Sequence, residues 1–272
     1  MTHLKRTAVI IALALLTALT SACAGRSGAG VILAGSTSVQ PYAEKLAEEY
    51  AHTHPYSEID VQGGGSSAGI TAAESGTADI GMSSRALKES EGWLWSAEIA
   101  KDGLAMIVHP DNPVGGLTLE QIRGIYSGEI TDWGELGGNP ARIHVIAREE
   151  GSGTRSAFED LVMGDGRITP KAIVQNSNGA VRQIVSGDRN SIGFISLGLV
   201  DKDVKALELG GVAPSHDNVA GGSYALFRPF LFVANGEPEG EAMLFVDYVL
   251  SDEGRELLEH EGLVVMGEGA GQ

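Results

Sequence analysis

Four short segments combine glycine with small hydroxyl residues: Gly35-Ser36-Thr37-Ser38, Gly63-Gly64-Gly65-Ser66-Ser67-Ala68-Gly69, Met82-Ser83-Ser84-Arg85 and Arg148-Glu149-Glu150-Gly151-Ser152-Gly153-Thr154. Glycine lets a backbone approach a ligand closely, and Ser or Thr hydroxyls add rotatable donors. Each segment follows a short apolar run, and three of the four lead into a helix-like stretch. At such junctions the first-turn amides lack intrahelical partners, and the helix dipole places partial positive charge there. Several termini aimed at one place make a cage for a tetrahedral oxyanion, with Arg148 as a charged partner. That chemistry needs no cofactor and no metal. The plainer reading of each loop alone is a helix cap, for which Ser and Thr are preferred.

An enzymatic rival shares these residues. Gly65-Ser66-Ser67-Ala68-Gly69 matches the G-x-S-x-G nucleophile elbow in a strand-to-helix setting. A secreted serine hydrolase using Ser67 needs a later acid and a histidine, for which His216 or His260 are the candidates. With 38 glycines in 272 residues, a chance match to that pattern is ordinary. No G-x-x-x-x-G-K-[ST] phosphate loop is present. His52-Thr53-His54 has the character of a solvated helix end, and Trp93 and Trp95 that of packing residues.

The elements that must position these loops alternate along the chain, the pattern of an α/β protein. Strands are expected over 31–34, 59–62, 80–82, 104–108, 143–147, 192–195, 224–233 and 263–265. Helices are expected over 42–51, 68–75, 119–127, 155–163, 180–186, 241–250 and 253–260. In the first helix Ala43, Leu46, Ala47 and Tyr50 form an apolar stripe. Asp252 is the expected N-cap of the last, with Gly262 just past its end. Polar stretches at 109–113 and 213–223 mark two crossings between lobes. Residues 31–108 with 224–272 then form one lobe and 109–223 the other, with a ligand cleft between them and the crossing strands as hinge.

The net charge of −17 argues against nucleic-acid binding, which needs clustered Lys and Arg. A single cysteine, Cys23, excludes a disulfide framework and a Cys-based metal site. Lys5 and Arg6 precede an apolar run of about 13 residues and the small residues Thr20-Ser21-Ala22, a secretory signal over residues 1–22. Cys23 then stands where a lipobox places an acylated thiol, with 24–30 as a linker, although Ala22-Cys23-Ala24 also fits ordinary A-x-A cleavage. The exported chain is expected outside the cytoplasmic membrane, tethered by lipidated Cys23.

With these loops in place, residues 31–272 resemble the phosphate-binding lipoproteins of bacterial phosphate-specific ABC transporters. The marks are Gly35–Val39, Gly65–Gly69, Ala78–Arg85 and Arg148–Thr154. Leu117–Ile122 with Ile130–Trp133, and Ser177–Ala180 with Ser191–Phe194, add to them. The resemblance implies a two-lobed, type II periplasmic-binding-protein fold of α/β class that closes on one inorganic phosphate. It implies donors from Thr37 and Ser38, and from Ser67, with its neighbour Ser66 the less favoured alternative. Arg148 would supply the cation, while Ser152, Gly153 and Thr154 would offer the start of the fourth helix. Glu150 is implied to lie beside the anion in ion pairs with arginine. Ser84 occupies the position where long-known members carry a carboxylate that accepts the phosphate proton; a hydroxyl can accept as well as donate. The implied partners are ABC permease subunits and, through the lipid alone, the membrane, for a monomer with neither cofactor nor enzymatic activity. Sulfate, molybdate and a signalling role without transport remain alternatives within the binding class.

Overall fold

The computed structural model describes residues 30–265. Cys23 and the leader expected over 1–22 lie outside the described residues. The chain runs β1 (Val31–Gly35), α1 (Gln40–Thr53), β2 (Ile59–Gly63), α2 (Ser66–Glu74), β3 (Ile80–Ser83) and the long β4 (Trp95–Val108). It continues through β5 (Gly116–Leu117), α3 (Leu119–Ser127), β6 (His144–Arg148), α4 (Gly153–Phe158), β7 (Ile173–Gln175), α5 (Asn178–Gly187) and β8 (Ser191–Ser196). Short β9 (Lys205–Ala206), β10 (Glu208–Leu209) and α6 (His216–Ala220) lead to β11 (Phe227–Ala234), α7 (Gly240–Leu250) and α8 (Asp252–His260).

One mixed sheet carries the order β2-β1-β3-β11-β4-β8-β6-β7, with β9 on β4, while β5 and β10 pair separately. β1 is parallel to both β2 and β3, with Leu33 opposite Val61 and Ile80. β6 is parallel to β7 and β8. The antiparallel centre is β11 on β4 from Phe227↔Gly103 to Ala234↔Trp95, followed by β4 on β8 from Leu104↔Ser196 to Val108↔Ile192. β4 therefore changes partner part-way along its length.

The core changes over at the same place. Ile99 and Ala100 pack with Tyr42, Leu46 and Tyr50 of α1, Leu33, Phe230, Phe232 and Phe245. Leu104, Met106 and Val108 pack instead with Ile122, Tyr126, Trp133, Phe158 and Phe194. Ala105 and Ile107 point to the opposite face, under Val181 and Val185 of α5. A strand covered on both faces carries a continuous apolar run, which is why Leu104–Val108 is legible as a strand while its more polar first half is not. The packing thus switches within β4, ahead of the polar 109–113 stretch.

Several local expectations need correction. Ser251, not Asp252, caps α8, its hydroxyl accepting from the Gly254 amide at 3.3 Å. The strand expected over 263–265 is a single bridge between Val264 and Lys101. Residues 224–226 precede β11, and the Tyr224 hydroxyl donates to the Leu104 carbonyl at 2.9 Å. Trp93 lies outside β4 and is 56% exposed, whereas Trp95 packs on the core. The helix expected over 155–163 is α4 followed by a π turn at Glu159–Met163.

Candidate functional site

Each hydroxyl segment ends a strand. β1 stops at Gly35, and the Ser36 amide donates to the Met82 carbonyl of neighbouring β3 at 2.9 Å. Gly35 has φ +139°, and a Cβ on it would sit 2.9 Å from Gly69 Cα of α2. Glycine at 35 and 69 thus lets α2 lie directly against the ends of β1 and β3. Ser36 Oγ accepts the Ser38 and Val39 amides at 3.2 and 3.4 Å, which tightens the turn into α1. With its lone pairs so used, Ser36 donates to Ser84 Oγ at 2.9 Å. Ser66 opens α2, fully buried, and its Oγ accepts from the Ser84 amide at 3.0 Å. Ser36, Ser66 and Ser84 form one hydroxyl cluster.

Ser67 takes a different place. It is half-buried, and its amide donates to the Gly151 carbonyl at 3.0 Å, joining the start of α2 to the loop before α4. His216 and His260 face acids beside them in the chain, Asp217 at 3.4 Å and Glu261 at 3.7 Å.

Arg148 ends β6 with its side chain 1% exposed. Glu149 holds it bidentately, Oε2 accepting from Nε and Oε1 from Nη2, both at 2.9 Å. The expected partner, Glu150, is exposed instead. Consecutive residues on the turn point opposite ways, and only Glu149 faces the guanidinium. Arg148 Nη2 also donates to Thr37 Oγ1 at 3.2 Å, and Nη1 lies 3.5 Å from Thr154 Oγ1. Ser152 caps α4, its hydroxyl accepting the Arg155 amide at 3.2 Å. That bond leaves the amides of Gly153 and Thr154, at the first two helical positions, without intrahelical acceptors.

The two sets of loops meet. Ser38 Oγ lies 2.8 Å from Thr154 Oγ1, and Asn178 at the start of α5 donates to Thr37 Oγ1 at 3.3 Å and Ser38 Oγ at 2.9 Å. Thr37 Oγ1 accepts from both Arg148 and Asn178, so its own proton is directed outward as a donor. A Cβ on Gly153 would press on Ser66 Oγ and come within 2.7 Å of Ser84 Oγ, so only glycine allows this approach. Thr37, Ser38, Ser84, Arg148, Ser152, Gly153 and Thr154 therefore gather around one location, with Ser67 at its margin. The product is a buried set of N–H and O–H donors in which Arg148 is already paired to a carboxylate, a geometry suited to holding a small oxyanion by hydrogen bonds.

A family model described as a PBP superfamily domain matches residues 20–253. The phosphate-binding protein PstS of Bacillus subtilis is 31% identical over 233 residues, covering 84% of this chain and 77% of that protein. The chain belongs to the PstS family of the PBP superfamily. A crystal structure from Clostridium perfringens, of a phosphate ABC transporter substrate-binding protein with bound phosphate, is 42% identical. It superposes with a TM-score of 0.85, covering 88% of this chain and 100% of the other. An ABC-type phosphate transport receptor from Vibrio cholerae is 41% identical with a TM-score of 0.73, covering 87% of this chain and 100% of the other. The fold is the two-lobed α/β architecture of this superfamily.

Within this PstS-family chain, sequence reasoning assigned no role to Asn178, Glu149, Ser36, Asp102 or Arg228. Asn178 sits in a marked stretch, directly after the capping Ser177. Arg228 carried a visible sign: it is the lone charge within the apolar strand β11, and full burial of such a residue demands a partner.

Proposed function

We propose that the protein is an extracytoplasmic receptor that binds one inorganic phosphate and delivers it to an ABC permease for import. The observation that carries this reading is the convergence on one location of Thr37 and Ser38 before α1, Ser66 on α2, Ser84 after β3, and Arg148, Gly153 and Thr154 around α4. Phosphate-binding relatives that cover most of the chain supply the ligand. No bond is made or broken in this function, and no residue serves as a nucleophile.

Charge-assisted and neutral hydrogen bonds from fixed donors do the binding. Glu149 balances Arg148, so the site offers directed dipoles rather than a net positive field, consistent with an acidic protein. In this reading residues 31–103 with 227–265 form one lobe and 104–226 the other, and β4 and β11 are the hinge strands. Burial of the anion between the lobes removes water and strengthens each bond to it. Cys23 is the lipid anchor of the receptor, on the strength of its lipobox-like setting. Among the described residues no helix is long and apolar enough to cross a membrane.

Calorimetric titration of residues 24–272, stripped of bound anion, tests this function. One phosphate per chain, bound more tightly than sulfate, is expected. A folded, anion-free chain that gives no heat with phosphate would overturn the reading. Equal affinities for the two anions would leave an oxyanion receptor without phosphate selectivity. For the anchor, Cys23→Ala in the host should release the protein from the membrane fraction; retention there would contradict lipidation at that thiol.

A further inference from the structure

Beside the site lie two opposite charges that the phosphate reading leaves without a role. Asp102 on β4 and Arg228 on β11 are cross-strand partners, and each side chain is 1% exposed. Arg228 Nε and Nη2 lie 3.2 and 3.0 Å from Asp102 Oδ2. A buried ion pair is a weak device for stability, because a well-packed apolar pair of similar volume often serves as well. Arg228 Nη1 is, moreover, buried with no hydrogen-bond partner among the described residues.

The pair's remaining bonds lead into the site. Arg228 Nη2 donates to Ser38 Oγ at 3.0 Å, and Asp102 Oδ1 accepts from Ser196 Oγ at 2.8 Å. The Ser196 amide donates to Asn178 Oδ1 at 3.3 Å, and Asn178 Nδ2 donates to Ser38 Oγ at 2.9 Å. Arg228, Asp102, Ser196, Asn178 and Ser38 thus close a ring that ties β4 and β11 to the starts of α1 and α5.

The ring decides the direction of a hydroxyl. Ser38 Oγ has two lone pairs, and Arg228 and Asn178 occupy both. Its 2.8 Å contact with Thr154 Oγ1 must then run from Ser38 as donor to Thr154 as acceptor. Thr154 Oγ1, also within 3.5 Å of Arg148 Nη1, keeps its own proton as the donor left over. We propose that the Asp102–Arg228 pair is a positioning device for the anion site, fixing the Ser38 hydroxyl as a donor. The Ser38–Thr154 pair then presents a proton, never a lone pair, to the bound oxyanion. Arg228 acts through Ser38 and is a positioning residue. The proposal rests on the phosphate reading above.

The test is a double-mutant cycle read by calorimetric titration of inorganic phosphate into residues 24–272. Asp102→Asn and Arg228→Met are made together, so that neither charge is left buried alone. The paired change is expected to weaken phosphate binding roughly 10- to 100-fold when Ser38 is present. In a Ser38→Ala background the same change should cost less than about 2-fold, because the hydroxyl through which the pair acts is gone. A purely structural role would cost the same in both backgrounds, and that result overturns the proposal while leaving phosphate binding intact. If the paired variant does not fold by circular dichroism, Arg228→Lys, which keeps the charge beside Asp102, is carried through the same two backgrounds with the same criterion. A folded wild-type chain that binds no phosphate removes both the receptor reading and this proposal, a result distinct from additive losses.

Discussion

The part of the site built before Gly103 and the part built after it supply different chemistry. Before Gly103 stand Ser36, Ser38, Ser66 and Ser84, all buried and all neutral. Three of them are already bonded to one another across the ends of β1, α2 and β3. After Gly103 stand Arg148 with its Glu149 partner, the start of α4, and Asn178. The first side has its geometry set by its own hydrogen bonds, including those from the Asp102–Arg228 pair, whose charges cancel; the second supplies Arg148 and reaches across to Thr37 and Ser38. A receptor divided in this way should lose more affinity from a change on the charged side than from one on the hydroxyl side.

Arg148→Met is the harshest test of that division. It removes the guanidinium and leaves the Glu149 carboxylate beside the anion, so phosphate affinity should fall about 1,000-fold, or about 4 kcal/mol. Calorimetry that showed the same loss for Arg148→Met and Ser84→Ala would erase the distinction between the two sides. Gly153→Ala probes how closely they must approach, since its Cβ meets Ser66 and Ser84 side chains. Phosphate affinity should drop roughly 100-fold while Tm falls by less than about 4 °C, because alanine suits a helix start and only the approach is blocked. A variant with undiminished binding would show that the sides need not meet so tightly. Ser84→Ala takes away the acceptor for Ser36 and should cost about 1.4 kcal/mol, or about tenfold in phosphate affinity.

The smallest effect should come from a contact outside the site. Glu91 accepts two bonds from Arg85, at 2.7 and 2.9 Å, and these hold its carboxyl below the usual 4.5. A depressed folded-state pKa gives stability that is present above the unfolded value and lost as pH falls through the folded one. Glu91→Gln should therefore lower stability by about 1 kcal/mol at pH 7, and by much less once the pH is below both values. Denaturant unfolding measures this, with phosphate affinity at neutral pH unchanged; a loss independent of pH would point to packing instead of charge.

How much of this was legible depended on distance along the chain. The loops at 35–38, 63–69, 82–85 and 148–154 were readable because strand end, glycine, hydroxyl and helix start are contiguous. Ser67 was favoured over Ser66, yet Ser66 is the one buried against Ser84, a choice made by the backbone turn at Gly65, φ +89°, and not by residue type. The same limit applies to Glu149 and Glu150. Asp102 and Arg228 were out of reach for another reason: their pairing depends on the register of β4 and β11, strands separated by most of the second lobe. The first half of β4 was hidden by Ser96 and Glu98, exposed between half-buried Trp95 and Ala97, and by Lys101 after the buried Ile99 and Ala100. Its pairing with β11, not its composition, makes it a strand.

A crystal structure of residues 24–272 grown with phosphate is the most direct measurement. One phosphate should lie between the two sides, its oxygens about 2.6–3.2 Å from donors of Thr37, of Ser66 or Ser84, and of Arg148, Gly153 and Thr154. A phosphate bound to one side alone, or seated elsewhere while this location holds only water at saturating ligand, would contradict a receptor that closes these two chemistries on one anion.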